Sequence, residues 1–223
     1  MTIRRLSAVY VLGLALLAGC GDYMWWEYRD DPYLADVGAG DEQEALRKVN
    51  SISPVERQIA LRHLALQAGQ ARRRGDASAA NRIEDVIIRR YYAEKDTAVR
   101  AAVVRICAPA VGRGSTRMVE FLLARIAAGE FPGYAALSLA HLAPRAAFED
   151  IEPLTRHPAP EVRYQAATAL CILADPRGYE PVARVWRGMR PQAWPNLIEG
   201  TPVEEAKIIL GRRAEQSFGR PLY

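Results

Sequence analysis

A nine-residue pattern occurs twice in this chain, as Ala135-Ala-Leu-Ser-Leu-Ala-His-Leu-Ala143 and, 31 residues further on, as Ala166-Ala-Thr-Ala-Leu-Cys-Ile-Leu-Ala174. Both copies read A-A-x-x-L-x-x-L-A without a gap, which is the spacing of one helical face. Alanine lets two helices approach closely, and leucine fills the core between them. A pattern that returns after about 30 residues is typical of proteins in which similar helical units stack on their neighbours.

Looser copies and helix-start signals extend the pattern over most of the chain. Residues 60–64 and 103–107 fit it approximately. Ser53-Pro-Val-Glu56 and Thr201-Pro-Val-Glu204 each combine a capping hydroxyl, a Pro at the first helical position and a Glu at the third. No segment alternates with period two for long, so we expect an all-α chain of nine or ten helices and no strand.

The composition is that of a folded globular protein. Of the 223 residues, 50% are hydrophobic and 25% are charged, which excludes a disordered chain and a multi-pass membrane protein. Three cysteines are too few for a disulfide-rich scaffold. The formal net charge is +4, and it falls to +2 if the first 19 residues, which hold Arg4 and Arg5 and no acid, are removed.

Two segments resemble a known repeat family. Residues 96–106 and 160–177 are similar to HEAT repeats of the short type first described in phycobilin lyases, with the best match over residues 158–187. The resemblance implies an α-solenoid of paired antiparallel helices over residues 41–200, closed by a capping helix and tail over residues 201–223. It also implies that Arg100 and Arg163 tie adjacent repeats together through a carboxylate. The lyase activity is not implied, and a tetratricopeptide-like array or an irregular bundle is the alternative fold.

The first twenty residues read as an export signal. Arg4 and Arg5 precede an apolar stretch that ends in Leu17-Ala-Gly-Cys20, which resembles a bacterial lipobox. The resemblance implies that residues 1–19 are cleaved and that Cys20 is acylated, which anchors the chain to membrane lipid. An ordinary secreted protein cut near Ala18 is the alternative. Gly21 after the cysteine favours the outer membrane facing the periplasm over the inner membrane, so we expect a lipid-anchored protein of the cell envelope.

Residues 20–40 form an aromatic lead without a helical period of useful length. Trp25, Trp26 and Tyr28 are its candidate contact residues, since Trp and Tyr are enriched both in binding hot spots and at membrane interfaces. The lead could bind a partner protein, rest in the headgroup layer, or fold back onto the rest of the chain. The sequence leaves these three alternatives open.

No constellation of catalytic or metal-binding residues is recognisable. The three histidines lack metal-ligand spacing, and Cys107 and Cys171 lie among apolar residues, as small buried hydrophobes do. We therefore expect no enzyme activity, no metal and no cofactor. The basic run Arg72-Arg73-Arg74 is a candidate contact for anionic headgroups or for an acidic partner, or else a solvated turn; nucleic acid is hard to reconcile with export.

The function that these features favour is a membrane-anchored, non-catalytic scaffold that binds an unidentified envelope protein through a helical-repeat surface. The alternative is an accessory subunit for the assembly or secretion of an envelope complex, which binds through its aromatic N-terminal segment. An enzyme is the least favoured class.

Overall fold

The computed structural model describes residues 42–142, 147–190 and 203–222, and all regular structure in these ranges is helical. The prediction of an all-α fold is therefore confirmed. The predicted signal peptide (1–19) and aromatic lead (20–40) lie outside the described residues. The helices are α1 (Glu42–Lys48), α2 (Pro54–Arg73), α3 (Ala77–Ala93), α4 (Thr97–Ala102), α5 (Ala108–Ala110), α6 (Thr116–Ala127), α7 (Pro132–Leu142), α8 (Phe148–Ile151), α9 (Pro160–Leu173), α10 (Tyr179–Gly188) and α11 (Val203–Phe218). A π-helical turn (Val103–Cys107) joins α4 to α5, and 3-10 turns occupy Glu152–Arg156 and Pro176–Gly178.

The N-terminus of α2 is capped as the sequence predicts, with one difference. The Ser53 hydroxyl accepts a hydrogen bond from the backbone N–H of Glu56 at 3.4 Å. In a simple capping box the Glu56 carboxylate would accept the Ser53 backbone N–H in return. Here the Ser51 hydroxyl accepts that N–H at 3.1 Å and itself donates to Glu56. Ser51 thus relays the second bond of the box.

Helices α2 and α3 form an antiparallel hairpin. Arg57 near the start of α2 bonds Glu94 just after the end of α3. Arg72 near the end of α2 bonds Asn81 near the start of α3. These two contacts fix opposite ends of the pair, so the apolar faces between them meet along most of both helices.

A second set of contacts joins alternate helices of the chain, where α4, the π turn and α5 count as one continuous helix. Gly69 in α2 lies against Ala110 in α5, and Ser138 in α7 bonds Val104 in the π turn. Gly133 near the start of α7 lies against Gln165 of α9. Ser217 near the end of α11 bonds Cys171 near the end of α9. Gly69 and Ala110 both lie near the C-terminal ends of their helices, and so do Ser217 and Cys171. The helices of each pair are therefore in contact at matching ends.

The repeated alanines and leucines lie in the core, as their pattern predicts. Ala135, Ala136 and Leu139 of the first copy are buried, and so are their counterparts 31 residues on, Ala166, Ala167 and Leu170. The glycine at the α7–α9 crossing explains how close these helices come. A Cβ added to Gly133 would clash with the side chain of Gln165. Helices with small residues at the contact can pack at the short end of the usual range of distances.

The π turn has a cause in the sequence. Pro109 has no backbone N–H, and its ring would clash with the carbonyl four residues earlier in a regular α-helix. Just before Pro109 the helix turn contains one extra residue, so the backbone N–H of Ala108 donates to the carbonyl of Val103, five residues earlier. In this register the donor to the Val104 carbonyl would be residue 109, which is Pro. The buried Ser138 hydroxyl of α7 supplies the missing bond, at 2.6 Å.

Candidate functional site

A buried arginine ties the first hairpin to the helix that follows it. The Arg57 guanidinium donates to both carboxylate oxygens of Glu94, from Nε at 2.7 Å and from Nη2 at 3.0 Å. Its Nη1 donates to the backbone carbonyls of Ser51 and Ile52, each at 2.8 Å. One side chain thereby fixes the loop before α2 and the loop before α4. Arg57 and Glu94 form a bidentate pair, and the Nη1 group of Arg57 is bonded as well. This geometry offsets the desolvation cost of burying both charges.

Glu94 is the acceptor at the centre of this tie. It also accepts from Arg90 at 2.9 Å and from the backbone N–H groups of Lys95 and Asp96, each at 3.0 Å. Burial alone would raise the pKa of Glu94, but the hydrogen bonds from Arg57, Asp96 and Arg90 outweigh it and lower the pKa to about 2. The carboxylate is therefore ionised at neutral pH and occupied, so it is a structural acceptor and a poor proton carrier.

Arg100 makes the corresponding contact one hairpin later. Its Nη2 lies 2.9 Å from Glu130 Oε1, in the loop before α7, and donates to the Tyr91 hydroxyl at 3.1 Å. Tyr91 in turn donates to the other Glu130 oxygen at 2.8 Å. The hydrogen bonds from Arg100 and Tyr91 hold the pKa of Glu130 below its ordinary value. Arg100 thus connects α4, the end of α3 and the entry to α7.

Arg163, the other residue for which the resemblance implies a tie, bonds the loop before its own helix. Its Nη1 donates to the carbonyls of His157 and Pro158, each at 2.7 Å. Arg57, Arg100 and Arg163 occupy the same place, four residues after the N-cap of α2, α4 and α9. Arg57 and Arg163 also bond the carbonyls five and six residues before them. The shared position could have identified Arg57 from the sequence; its partner Glu94, 37 residues away, gives no local signal.

An aromatic cluster surrounds the Arg100 tie. The Tyr91, Tyr92 and Phe121 rings pack edge to face, with centroids 4.9 to 6.3 Å apart. The Arg125 guanidinium lies 5.0 to 5.4 Å from all three centroids. It donates to Glu130 at 2.5 Å and to the Tyr92 hydroxyl at 3.0 Å. Tyr92 is nevertheless 61% exposed. Its ring therefore lies at the surface while Arg125 and Tyr91 contact it from within the protein.

The basic run that begins at Arg72 divides between the interior and the surface. Arg72 donates to Glu84 at 2.5 Å and to the Gly114 carbonyl at 3.1 Å, and Glu84 is wholly buried. The Ser115 hydroxyl donates to the other Glu84 oxygen at 2.6 Å. Arg72 is therefore an internal tie between the α2–α3 hairpin and the loop before α6, which the sequence run alone does not reveal. Arg73 and Arg74 are exposed, and they stay candidates for partner contact.

The remaining candidates for chemistry are sequestered or outside the described ranges. Cys107 and Cys171 are free and buried, as the sequence predicts, and burial raises the pKa of each thiol to about 12, so both are protonated at neutral pH. Cys20, Trp25, Trp26 and Tyr28 lie outside the described residues. Within those residues no group of three His, Cys, Asp or Glu side chains is placed to hold a metal ion.

The described helices include none that is both long enough and apolar enough to cross a membrane. Comparison with known proteins adds no relative. No family model, no curated protein and no solved structure matches the chain.

Proposed function

We propose that this protein is a membrane-anchored lipoprotein whose helical body acts as a scaffold and binds another envelope protein without catalysis. In this proposal Cys20 carries the lipid, the segment after it is a tether, and the body is a HEAT-like solenoid. The single observation that supports the scaffold most strongly is the chain of contacts between alternate helices: α2 to α5, the π turn to α7, α7 to α9 and α9 to α11.

Those contacts are what a solenoid requires, because each repeat must bury its apolar face against its neighbours. The arginine ties support the same arrangement. Arg57 bonds Glu94 in the loop before α4, and Arg100 bonds Glu130 in the loop before α7. Arg72 connects α2 to the loop before α6 through the Gly114 carbonyl. The last helix, α11, suits a cap: its exposed positions are polar apart from Ile208, and they include Glu204, Arg212 and Glu215.

The electrostatics of the body support binding rather than catalysis. The buried carboxylates Glu84 and Glu94 are bonded to arginines, and the two buried thiols are protonated at neutral pH. A general base or nucleophile needs a pKa near the working pH and a free approach to substrate. Neither buried carboxylate is open to approach by a substrate, and neither thiol has a pKa near neutrality.

The anchoring half of the proposal is tested by Cys20→Ser. We expect wild-type protein in the membrane fraction, labelled by radioactive palmitate, and the variant unlabelled and unprocessed. Cys107→Ala is the control, since a buried thiol should not be acylated and its removal should leave the label intact. A Cys20→Ser protein that keeps its palmitate label and its gel mobility contradicts lipid attachment at this residue.

A further inference from the structure

One face of α3 combines positive charge with an exposed tyrosine. Arg82, Arg89 and Tyr92 follow one another at intervals of seven and three residues, which places them within an arc of about 80° on the helix. All three are exposed. Arg73 and Arg74, at the turn that leads into α3, are exposed as well. Together these five residues are called the basic face below.

The acidic residues of α3 do not neutralise the basic face. Glu84 is buried and bonded to Arg72 and Ser115. Asp85 lies on the same side of the helix as Arg82 and Arg89, but its carboxylate pairs with Arg117 of α6 at 3.0 Å. Among the described residues no acid forms an ion pair with an arginine of the basic face. Four arginines, two at the end of α2 and the turn after it and two on α3, therefore have no acidic ion-pair partner among the described residues.

Tyr92 is held rigidly on this face. Its hydroxyl accepts from Arg125 at 3.0 Å, and its ring packs edge-on against Tyr91 and Phe121. A side chain that is already ordered loses little conformational entropy when it binds a partner. Tyrosine and arginine are also the side chains most enriched in binding hot spots. The rigid ring and the arginines without an acidic ion-pair partner among the described residues are independent observations that point to the same surface.

We infer that the basic face of α3 binds an acidic segment of a partner protein, with Tyr92 as its apolar anchor. The inference rests on the proposed scaffold function and names the surface and the charge of its partner. A protein segment fits better than an anionic membrane for one geometric reason. The Tyr92 hydroxyl accepts a hydrogen bond from Arg125, and the Arg125 guanidinium also lies over the Tyr92 ring, 5.0 Å from its centroid, so the ring is not free to insert between lipid headgroups.

The experiment places a photocrosslinker, p-benzoylphenylalanine, at the exposed position Ala93 beside the basic face, in the full-length protein in its native membranes. The same crosslinker at Ile208 of α11 reports on a distant exposed site. We expect Ala93 to crosslink to a protein segment of net negative charge. The charge reversal R82E/R89E should reduce that adduct at least about tenfold, and Tyr92→Ala should reduce it by a similar factor.

Two further steps separate this inference from simpler explanations. R190E/R212E makes the same charge change at exposed arginines elsewhere, and it should alter the adduct less than about twofold. Lysine substitutions at the acids of the crosslinked segment should restore the adduct with R82E/R89E. Far-ultraviolet circular dichroism confirms that every variant is folded.

The outcomes are distinct. A lipid adduct at Ala93, a protein adduct that R82E/R89E leaves unchanged, or equal loss in R190E/R212E overturns the basic face as the binding surface. A protein adduct at Ile208 but none at Ala93 also overturns it, yet leaves the scaffold function standing. No protein adduct at either site, with no protein co-purifying from solubilised membranes, contradicts the scaffold function itself.

Discussion

Replacement of Ser138 by alanine should destabilise the protein more than the loss of an average hydrogen-bonding hydroxyl does. Ser138 is fully buried, and its hydroxyl is the donor to the carbonyl of Val104 at 2.6 Å. That carbonyl lacks a helical donor because the Ala108 N–H is bonded to Val103 and residue 109 is Pro. Ser138→Ala leaves the carbonyl buried and without a partner.

The magnitude follows from the cost of an orphaned acceptor. A buried polar group that loses its partner costs about 1 to 3 kcal/mol, against about 1 kcal/mol for an average net hydrogen bond. For a chain of about 200 residues this corresponds to a fall in Tm of roughly 2 to 12 °C. Chemical denaturation measures the free energy of unfolding, and thermal melting checks the shift.

Two controls make the prediction specific. Ser217→Ala also removes a hydroxyl that donates to a carbonyl, that of Cys171, but this oxygen accepts from the Ala174 N–H as well. It should therefore cost less than Ser138→Ala. In the Pro109→Ala background residue 109 regains an N–H that can reach Val104, so the added cost of Ser138→Ala should fall to about 0.5 kcal/mol or less.

The double-mutant cycle therefore has a definite sign. A coupling of at least about 0.5 kcal/mol between positions 109 and 138 is expected, because each substitution changes the same acceptor. If Ser138→Ala costs the same in both backgrounds, or less than about 0.5 kcal/mol in the wild type, the orphaned carbonyl is not what the Ser138 hydroxyl relieves.

Three further predictions follow from close contacts and charges. In a urea titration, Gly69→Ala should lower the free energy of unfolding by about 1 to 3 kcal/mol, because its Cβ would lie 2.5 Å from a backbone oxygen of α5. The control Gly188→Ala, whose Cβ would have no atom within 4 Å, should be neutral or mildly stabilising. The lowered pKa of Glu94 contributes about 3 kcal/mol to the free energy of unfolding, fully present above the unfolded pKa of 4.5 and lost as the pH falls toward 2. Glu94→Gln should therefore reduce the loss of stability between pH 4.5 and 2. An unchanged loss over this range would contradict the assignment. Arg57→Ala should destabilise the protein at pH 7 by about 3 kcal/mol or more, since it leaves Glu94 buried with fewer donors; a loss below about 1 kcal/mol in denaturant unfolding would show that the tie is not strongly coupled to folding.

The part of the fold that depends on local patterning was readable from the sequence. The helical class, the cap at Ser53 and the burial of Ala135, Ala166 and Leu170 follow from periodicity and from hydrogen bonds within a few residues. These features need no knowledge of what lies across the helix. They are also the features that a repeated pattern reports most reliably, since every copy must solve the same packing problem.

The ties between helices were not readable in the same way. Arg72 looks like part of a solvated turn, because its partner Glu84 becomes available only when α2 and α3 pair and α6 places Ser115 over the carboxylate. The Glu94 carboxylate likewise has no mark that distinguishes it from an exposed acid. Their roles depend on burial and on partners distant in the chain. Arg73 and Arg74 of the basic face were visible in the sequence as part of a basic run, but the exposed Tyr92 was not.

In the proposed function, a lipid-anchored helical body binds a partner protein through its own surface. The most direct measurement is purification of the full chain from solubilised membranes beside a variant that lacks residues 23–33 and keeps Cys20, with the bound proteins quantified by mass spectrometry. We expect one protein to be retained in equal amount by both forms and to be lost from the R82E/R89E variant. Loss of that protein from the deletion variant, with full retention by R82E/R89E, would show that binding depends on the aromatic lead and not on the basic face.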